Sequence, residues 1–137
     1  MTQVTLPTVA KVSEVLMRAA DLLDRGWSRG ANARMANGNA CGVFSPRANA
    51  YSMYGALCAV LGPGFGDDKV PQASPAWRLI ALRAWEATPE HARARMEYAL
   101  HDLNDCIATA SRAAELFREW AISKPWGIGH EQYSIHP

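Results

Sequence analysis

The stretch SPRANAYSMYGALCAVLGPGFGDDK, from Ser45 to Lys69, combines a helix start signal, an apolar stripe and a stop signal. Ser45 before Pro46 is typical of a helix N-terminus, because the hydroxyl can cap and proline suits the first turn. Gly62 and Pro63 then end the pattern. The sequence therefore predicts a central packing helix, with a core face of Ala50, Met53, Tyr54, Leu57, Cys58 and Leu61.

The glycine-rich end of this stretch does not match a phosphate-binding loop. Pro63 has no backbone N–H, and Asp67 and Asp68 put two negative charges where a phosphate would lie. The loop also follows a helix C-terminus, whereas anions bind at the N-terminal end of the helix dipole. We predict a helix stop and a surface loop, since two adjacent carboxylates fall far short of a calcium site.

Further helices are predicted on both sides of this one. The first runs from about Val9 to Arg25, with Thr8 as its N-cap and Gly26 in a left-handed C-terminal position. Asn104-Asp105 is the predicted break between the last two helices. The later helices have start signals at Ser74-Pro75, Thr88-Pro89 and Thr109, and the last, with Ala113, Leu116, Phe117, Trp120 and Ala121 inward, stops at Lys124-Pro125.

Between the first two helices, Asn37-Gly38 is the dipeptide best suited to a type I′ hairpin turn. Trp27–Ala36 and Asn39–Phe44 are then short strands; the alternative is an ordered loop with an Asn-Gly turn. The predicted fold class is mainly α, a compact bundle of about five helices with a small β-hairpin after the first. Residues 1–124 would form one helical domain, and residues 125–137 a C-terminal tail that packs or binds a partner.

Composition narrows the classes of function. The chain has 137 residues, 49% of them hydrophobic and 20% charged, with a formal net charge of +1. This balance argues against nucleic-acid binding, which usually needs a basic excess. No apolar run approaches the roughly 18 residues of a membrane span. With three cysteines, no CxxC spacing and no leader, we expect a cytoplasmic protein with mostly buried, reduced thiols.

Candidate chemistry is sparse, and no cofactor or metal site is predicted. His101, Asn104 and Asp105, with Arg47, could form a small acid–base cleft, although an Asn-Asp pair more often caps a helix or satisfies loop backbone groups. Cys58 lies on the predicted core stripe, where thiols are usually inert. The tryptophans and arginines of the third and fourth helices resemble a nucleic-acid surface, but the tryptophans fall on the apolar stripe: Trp77, Arg78, Arg83, Trp85, Arg93 and Arg95.

Three ordered motifs resemble an uncharacterised bacterial and phage family, the domain of unknown function numbered 6197. They are AADLLDRGWSRGA (Ala19–Ala31), SPRANAYSMYGAL (Ser45–Leu57) and LNDCIATASRAAELFREWA (Leu103–Ala121). The family often has an aromatic-Cys pair where this chain reads Ser52-Met53-Tyr54, so the resemblance implies no nucleophile. It implies a small accessory protein, often borne on phages or mobile elements.

The expected function is therefore binding to a host or phage protein, in the host cytoplasm if the chain is phage-encoded. The predicted contacts lie in the apolar tail: Trp126, Ile128, Tyr133 and Ile135. One alternative is a homo-oligomeric structural or decoration protein, paired through small residues of the second helix: Gly55, Ala56 and Ala59. The other is a small enzyme using the Asn/Asp/His cleft.

Overall fold

A computed structural model of the protein describes residues 12–61, 75–95 and 98–123, without the side chains of residues 75–78. Two two-residue strands, β1 (Ala33–Arg34) and β2 (Ala50–Tyr51), pair antiparallel. A 3-10 turn covers Glu90–Ala92. Within the described ranges there are five α-helices: α1 (Val12–Arg25), α2 (Met53–Leu61), α3 (Pro75–Ala87), α4 (Ala99–Cys106) and α5 (Ala110–Ile122). The mainly α fold with a small β element after the first helix is confirmed.

The core is built around α1, which packs against α5 on one side and α2 on the other. The Ser13 hydroxyl donates to the Ala121 carbonyl at 2.6 Å, and Arg118 pairs with Asp21 and Asp24 further along α1. These pairings make α1 and α5 antiparallel. The predicted inward face of α5 is confirmed, and its Phe117 is fully buried. Burial of such side chains contributes roughly 1.5–3 kcal/mol each.

The structure corrects the start of the central helix. Ser45-Pro46 begins a turn, in which the Ser45 side chain accepts the Arg47 amide at 3.1 Å and its carbonyl accepts the Ala48 amide at 3.0 Å. α2 begins at Met53 and is capped by Ser52, whose hydroxyl accepts the Gly55 amide at 3.0 Å. A hydroxyl residue before proline suits a β-turn as well as a helix start, so the local signal was ambiguous.

The β element also differs from the prediction. Asn37-Gly38 does reverse the chain, since the Gly38 amide donates to Met35 at 2.9 Å, but only Gly38 has a positive φ, which rules out type I′. Between the two predicted strands only one bridge forms, and it joins Arg34 to Ala40. β1 instead pairs with β2, placing Ala33 opposite Tyr51. Ala50, predicted on the helix stripe, therefore lies in a strand.

Two glycines mark the places where this segment touches the helices. Gly26 does not have the predicted left-handed conformation. A Cβ built on it would lie 2.3 Å from the Asn49 carbonyl oxygen, so only glycine admits this approach. At Gly55, on α2, a Cβ would lie 1.9 Å from the Asn32 carbonyl oxygen. The segment from residue 26 to residue 52 is thus held against the ends of α1 and α2 at backbone contact distance.

The third and fourth helices are separated differently from the prediction. Thr88-Pro89 starts only the 3-10 turn, and α4 begins ten residues after Pro89. The Arg93 guanidinium explains part of this, because it donates to the carbonyls of Trp85 and Thr88 and lies 5.4 Å from the Trp85 ring. The Arg93–Trp85 contact therefore closes the end of α3, and the two side chains do not form a platform on which a nucleic-acid base could stack.

A break does precede α5, but it lies at residues 107–109 and not at the predicted Asn104-Asp105, since both of those residues lie within α4. Thr109 caps α5 as predicted, by accepting the Arg112 amide at 3.3 Å. Other predictions lie outside the described residues. They concern Thr8, the stop at Gly62-Pro63, Asp67 and Asp68, the stop at Lys124-Pro125 and the division between residues 124 and 125.

Replacing Gly55 by alanine should destabilise the protein by at least about 1 kcal/mol. Alanine favours helices by about 1 kcal/mol over glycine, but here its methyl group would collide with the Asn32 backbone. Urea denaturation of Gly55→Ala measures the change. Gly42→Ala is the matched control, because nothing lies within 4 Å of a Cβ at Gly42. A Gly55→Ala protein as stable as the control would contradict the close approach.

Candidate functional site

The predicted site residues fall into two groups. The tail residues Trp126, Ile128, Tyr133 and Ile135 lie outside the described part of the chain, so their role stays a prediction. His101, Asn104 and Asp105 all lie on α4. His101 is half-buried, Asn104 is buried and Asp105 is exposed. Arg47 is exposed, in the turn that follows Ser45.

Asn104 is a structural hydrogen-bonding centre. It is 3% exposed, and its Oδ1 accepts the Trp27 indole N–H at 2.9 Å and the Met53 amide at 3.0 Å. Its Nδ2 donates to the Ser28 carbonyl at 3.0 Å. Asn104 therefore ties α4 to the loop after α1 and to the first amide of α2. These bonds occupy the amide at both ends, which leaves it little capacity for chemistry.

The sequence contained a signal for this role. Asn104 lies on the same buried face of α4 as Leu100 and Leu103, so a polar residue interrupts an apolar stripe. Buried polar groups are nearly always hydrogen-bonded. Asn104 hydrogen-bonds to backbone groups of the loop after α1, and this fits the alternative in which the Asn-Asp pair satisfies loop backbone groups. The partners could not be named beforehand, because Met53 and Ser28 are distant in sequence.

His101 packs against Tyr54 of α2, with ring centroids 4.8 Å apart. Burial lowers the pKa of His101 below 6.5, while the carboxylates of Asp105 and Asp102 act in the opposite direction. Burial is the larger effect, so the imidazole is neutral at neutral pH. A neutral imidazole can accept a hydrogen bond.

A polar pocket of about 190 Å³ lies beside these residues, and we call it the His101 pocket. It is lined by the loop Gly30–Asn32, by Ser52 and by the α4 residues His101, Asn104 and Asp105. Asp105 is exposed and Arg47 is not part of the lining. The structure thus assembles part of the cleft, without a buried Asn-Asp pair available for acid–base work.

A second cavity, of about 410 Å³, opens between α1 and α2, and we call it the Phe44 groove. Phe44 is 50% exposed at its edge. Arg18 and Asp21 of α1 add one charge of each sign. The other lining residues are mainly apolar: Leu22, Val43, Tyr51, Ala59 and Val60. The sequence did not indicate this groove, because its pattern predicted that Val43 and Phe44 lie in a strand.

The cysteines differ from one another in exposure. Cys58 is buried, and burial raises the pKa of its thiol to about 11, so it stays protonated and inert. Cys41 is half-buried and Cys106 is exposed, which corrects the expectation of mostly buried thiols. Among the described residues, no three His, Cys, Asp or Glu side chains are grouped closely enough to hold a metal ion. In the same ranges no helix has the length and apolar character of a membrane span.

The described residues form a mainly α fold that carries the His101 pocket and the Phe44 groove. The chain belongs to a family of unknown function, DUF6197, whose model matches residues 7–122. All five described helices lie in the matched region, and α5 ends where the match ends. No curated protein and no solved structure matches the chain.

Replacing Asn104 by alanine should lower the free energy of unfolding by about 3 kcal/mol, because it strands the Trp27 indole, the Met53 amide and the Ser28 carbonyl. Chemical denaturation provides the measurement. The matched control is Asp105→Asn, at the exposed neighbour, which should stay within about 0.5 kcal/mol of wild type. Equal effects at the two positions would show that the three bonds contribute nothing.

The lowered pKa of His101 predicts a loss of stability in mild acid. The unfolded chain takes up the proton more readily, so stability is complete above about pH 6.5 and falls as the pH drops towards the lower folded-state pKa. The groups facing the ring are Asp102 and Asp105 of α4 and Tyr54 of α2. Thermal melts between pH 7.5 and pH 5 measure the loss.

His101→Gln should flatten this pH dependence, because glutamine does not titrate. His91→Gln is the control, since His91 is an exposed histidine of the 3-10 turn and should leave the wild-type profile unchanged. A wild-type profile in His101→Gln would assign the acid sensitivity to other groups.

Proposed function

We propose that the protein is a small accessory protein, of the kind borne by phages and mobile elements, that binds a host or phage protein in the cytoplasm. The observation that supports this most is the half-exposed Phe44 at the edge of an open groove that Leu22, Val43 and Val60 help to line. Exposed aromatic side chains beside apolar cavities are typical anchors of protein interfaces.

The chemistry of the Phe44 groove indicates what the partner presents. Leu22, Val43 and Val60 offer an apolar lining, while Arg18 and Asp21 offer one charge of each sign on the same side. An aliphatic or aromatic side chain of the partner would fill the cavity. A flanking acidic residue of the partner would pair with Arg18, which sets orientation more than affinity.

The alternative of a homo-oligomeric structural or decoration protein loses its main supporting observation. Gly55 and Ala56 were expected to let helices of two subunits approach closely. Both are buried within the chain, and Gly55 already meets the Asn32 backbone. These two residues are therefore used in packing α2 inside the protein.

The enzyme alternative is also less well supported than binding. Its cleft requires an available Asn-Asp pair beside a histidine. Asn104 is occupied by three hydrogen bonds and Asp105 is exposed. An exposed carboxylate lacks the burial that usually tunes a catalytic acid or base.

A photocrosslinking amino acid in place of Phe44 tests the proposal in native-host lysate. We expect one crosslinked partner at position 44 and none at position 122, where Ile122 is 80% exposed on α5. Binding is then measured with the purified partner. The Phe44→Ser substitution should weaken it at least tenfold, while Ile122→Ser should not weaken it. Both are surface changes, so thermal melts should match wild type.

Two results would contradict this docking surface. Equal crosslinking at positions 44 and 122 would show non-specific contact, and undiminished binding by Phe44→Ser would exclude the groove. Deleting the residues from Pro125 onward tests the predicted tail contact separately from the Phe44 groove. Loss of the partner on deletion, with Phe44→Ser still binding, would assign recognition to the tail residues.

A further inference from the structure

The His101 pocket has a charge character that specifies a ligand. Of the described residues that line it, only Asp105 carries a formal charge at neutral pH, because the imidazole beside it is neutral. Asn104 and Ser52 are engaged with backbone amides, at Met53 and Gly55 among others. The pocket therefore presents one carboxylate, one neutral imidazole and the exposed Asn32.

Two described basic side chains close to the pocket loop are held in other contacts. Arg34, whose Nη2 would lie 3.4 Å from a Cβ at Gly30, donates to the carbonyls of Gly38 and Arg29. Arg29 lies 5.1 Å from the centre of the Trp27 ring and donates to the Ile107 carbonyl. It is not part of the pocket lining. The carboxylate of Asp105 is thus left as the dominant charge at the pocket, and a cation is the complementary ligand.

We infer that the His101 pocket binds an alkylguanidinium or alkylammonium group, as carried by an arginine or lysine side chain or by a small polyamine. The Asp105 carboxylate would pair with the cation, and the imidazole of His101 would accept one of its N–H groups. The volume of about 190 Å³ suits such a group and lies below the about 300–1,000 Å³ of sites for larger ligands.

The same residues are a poor match for other ligands. An anion would meet the Asp105 carboxylate and no basic side chain of the lining. A zinc ion usually takes at least three protein ligands, and no such group exists among the described residues. The Tyr54 ring adds an aromatic surface behind the imidazole. An organic cation is the ligand that the charge and size of the pocket both favour.

This site is separate from the proposed docking surface. Tyr51 lines the Phe44 groove, whereas the next residue, Ser52, lines the His101 pocket. Successive residues of an extended chain point to opposite faces, so the two cavities open on different sides of β2. The inference goes beyond the proposed function, and either can fail without the other.

Titration of the full-length chain with agmatine, followed by NMR of the His101 ring, tests the inference. We expect saturable shifts with a Kd on the order of millimolar. N-butylurea, an uncharged analogue of an alkylguanidinium, should cause no saturable shift. Asp105→Asn should weaken agmatine binding at least tenfold, while Glu14→Gln, at an exposed carboxylate of α1 outside the pocket lining, should retain it.

Acidification gives a further readout that a merely non-specific attraction would not produce. Protonation of His101 would place a positive charge beside the ligand, so affinity should fall as the pH drops below 6.5. A His101→Gln protein should lose that pH dependence. Stronger binding of an arginine-containing peptide than of agmatine would identify the source as a protein side chain, and the reverse would identify a free amine.

Three outcomes would overturn the inference. They are equal binding of N-butylurea and agmatine, unchanged affinity in Asp105→Asn, and saturable binding of Zn²⁺ at His101 without any agmatine binding. The last would identify a metal site. Because Asp105→Asn should be as stable as wild type, a loss of binding in that variant cannot be ascribed to unfolding.

Discussion

The side-chain amide of Asn104 is the interaction on which the position of the segment between α1 and α2 depends. Through it α4 holds the Trp27 indole, the Ser28 carbonyl and the first amide of α2. In the low dielectric of a protein interior such bonds are strong, and the cost of leaving any one unmade is high. A single buried side chain thus fixes where the loop after α1 meets the start of α2.

The segment from Gly26 to Ser52 is ordered mainly by polar contacts and close backbone approach. It contains only two two-residue strands, and much of its surface is exposed. The helices are ordered differently, by burial of apolar faces such as those of Leu16, Leu57 and Phe117. The two kinds of order meet at Gly26 and Gly55, where the segment touches the helices.

Periodicity predicted the features that depend on burial, namely the inward face of α5 and the core position of Leu57. The local start signal at Thr109 was also correct. Prediction from local signals failed where the same residues suit two structures, as at Ser45-Pro46 and Asn37-Gly38. The pairing of Ala33 with Tyr51 and the bonds of Asn104 join residues far apart in sequence, so no local pattern encodes them. The Phe44 groove was missed for the same reason, since its walls come from α1, β2 and α2.

The position of β2 has a mechanical consequence. Its Tyr51 amide donates to Gly26 and its carbonyl accepts from Ser28, while Ser52 accepts the Gly55 and Ala56 amides. Pressure on the Tyr51 side chain would therefore pull on the first turn of α2 through one peptide unit. Because Tyr51 lines the Phe44 groove and the adjacent Ser52 caps α2, the wall of the groove and the start of that helix cannot shift independently.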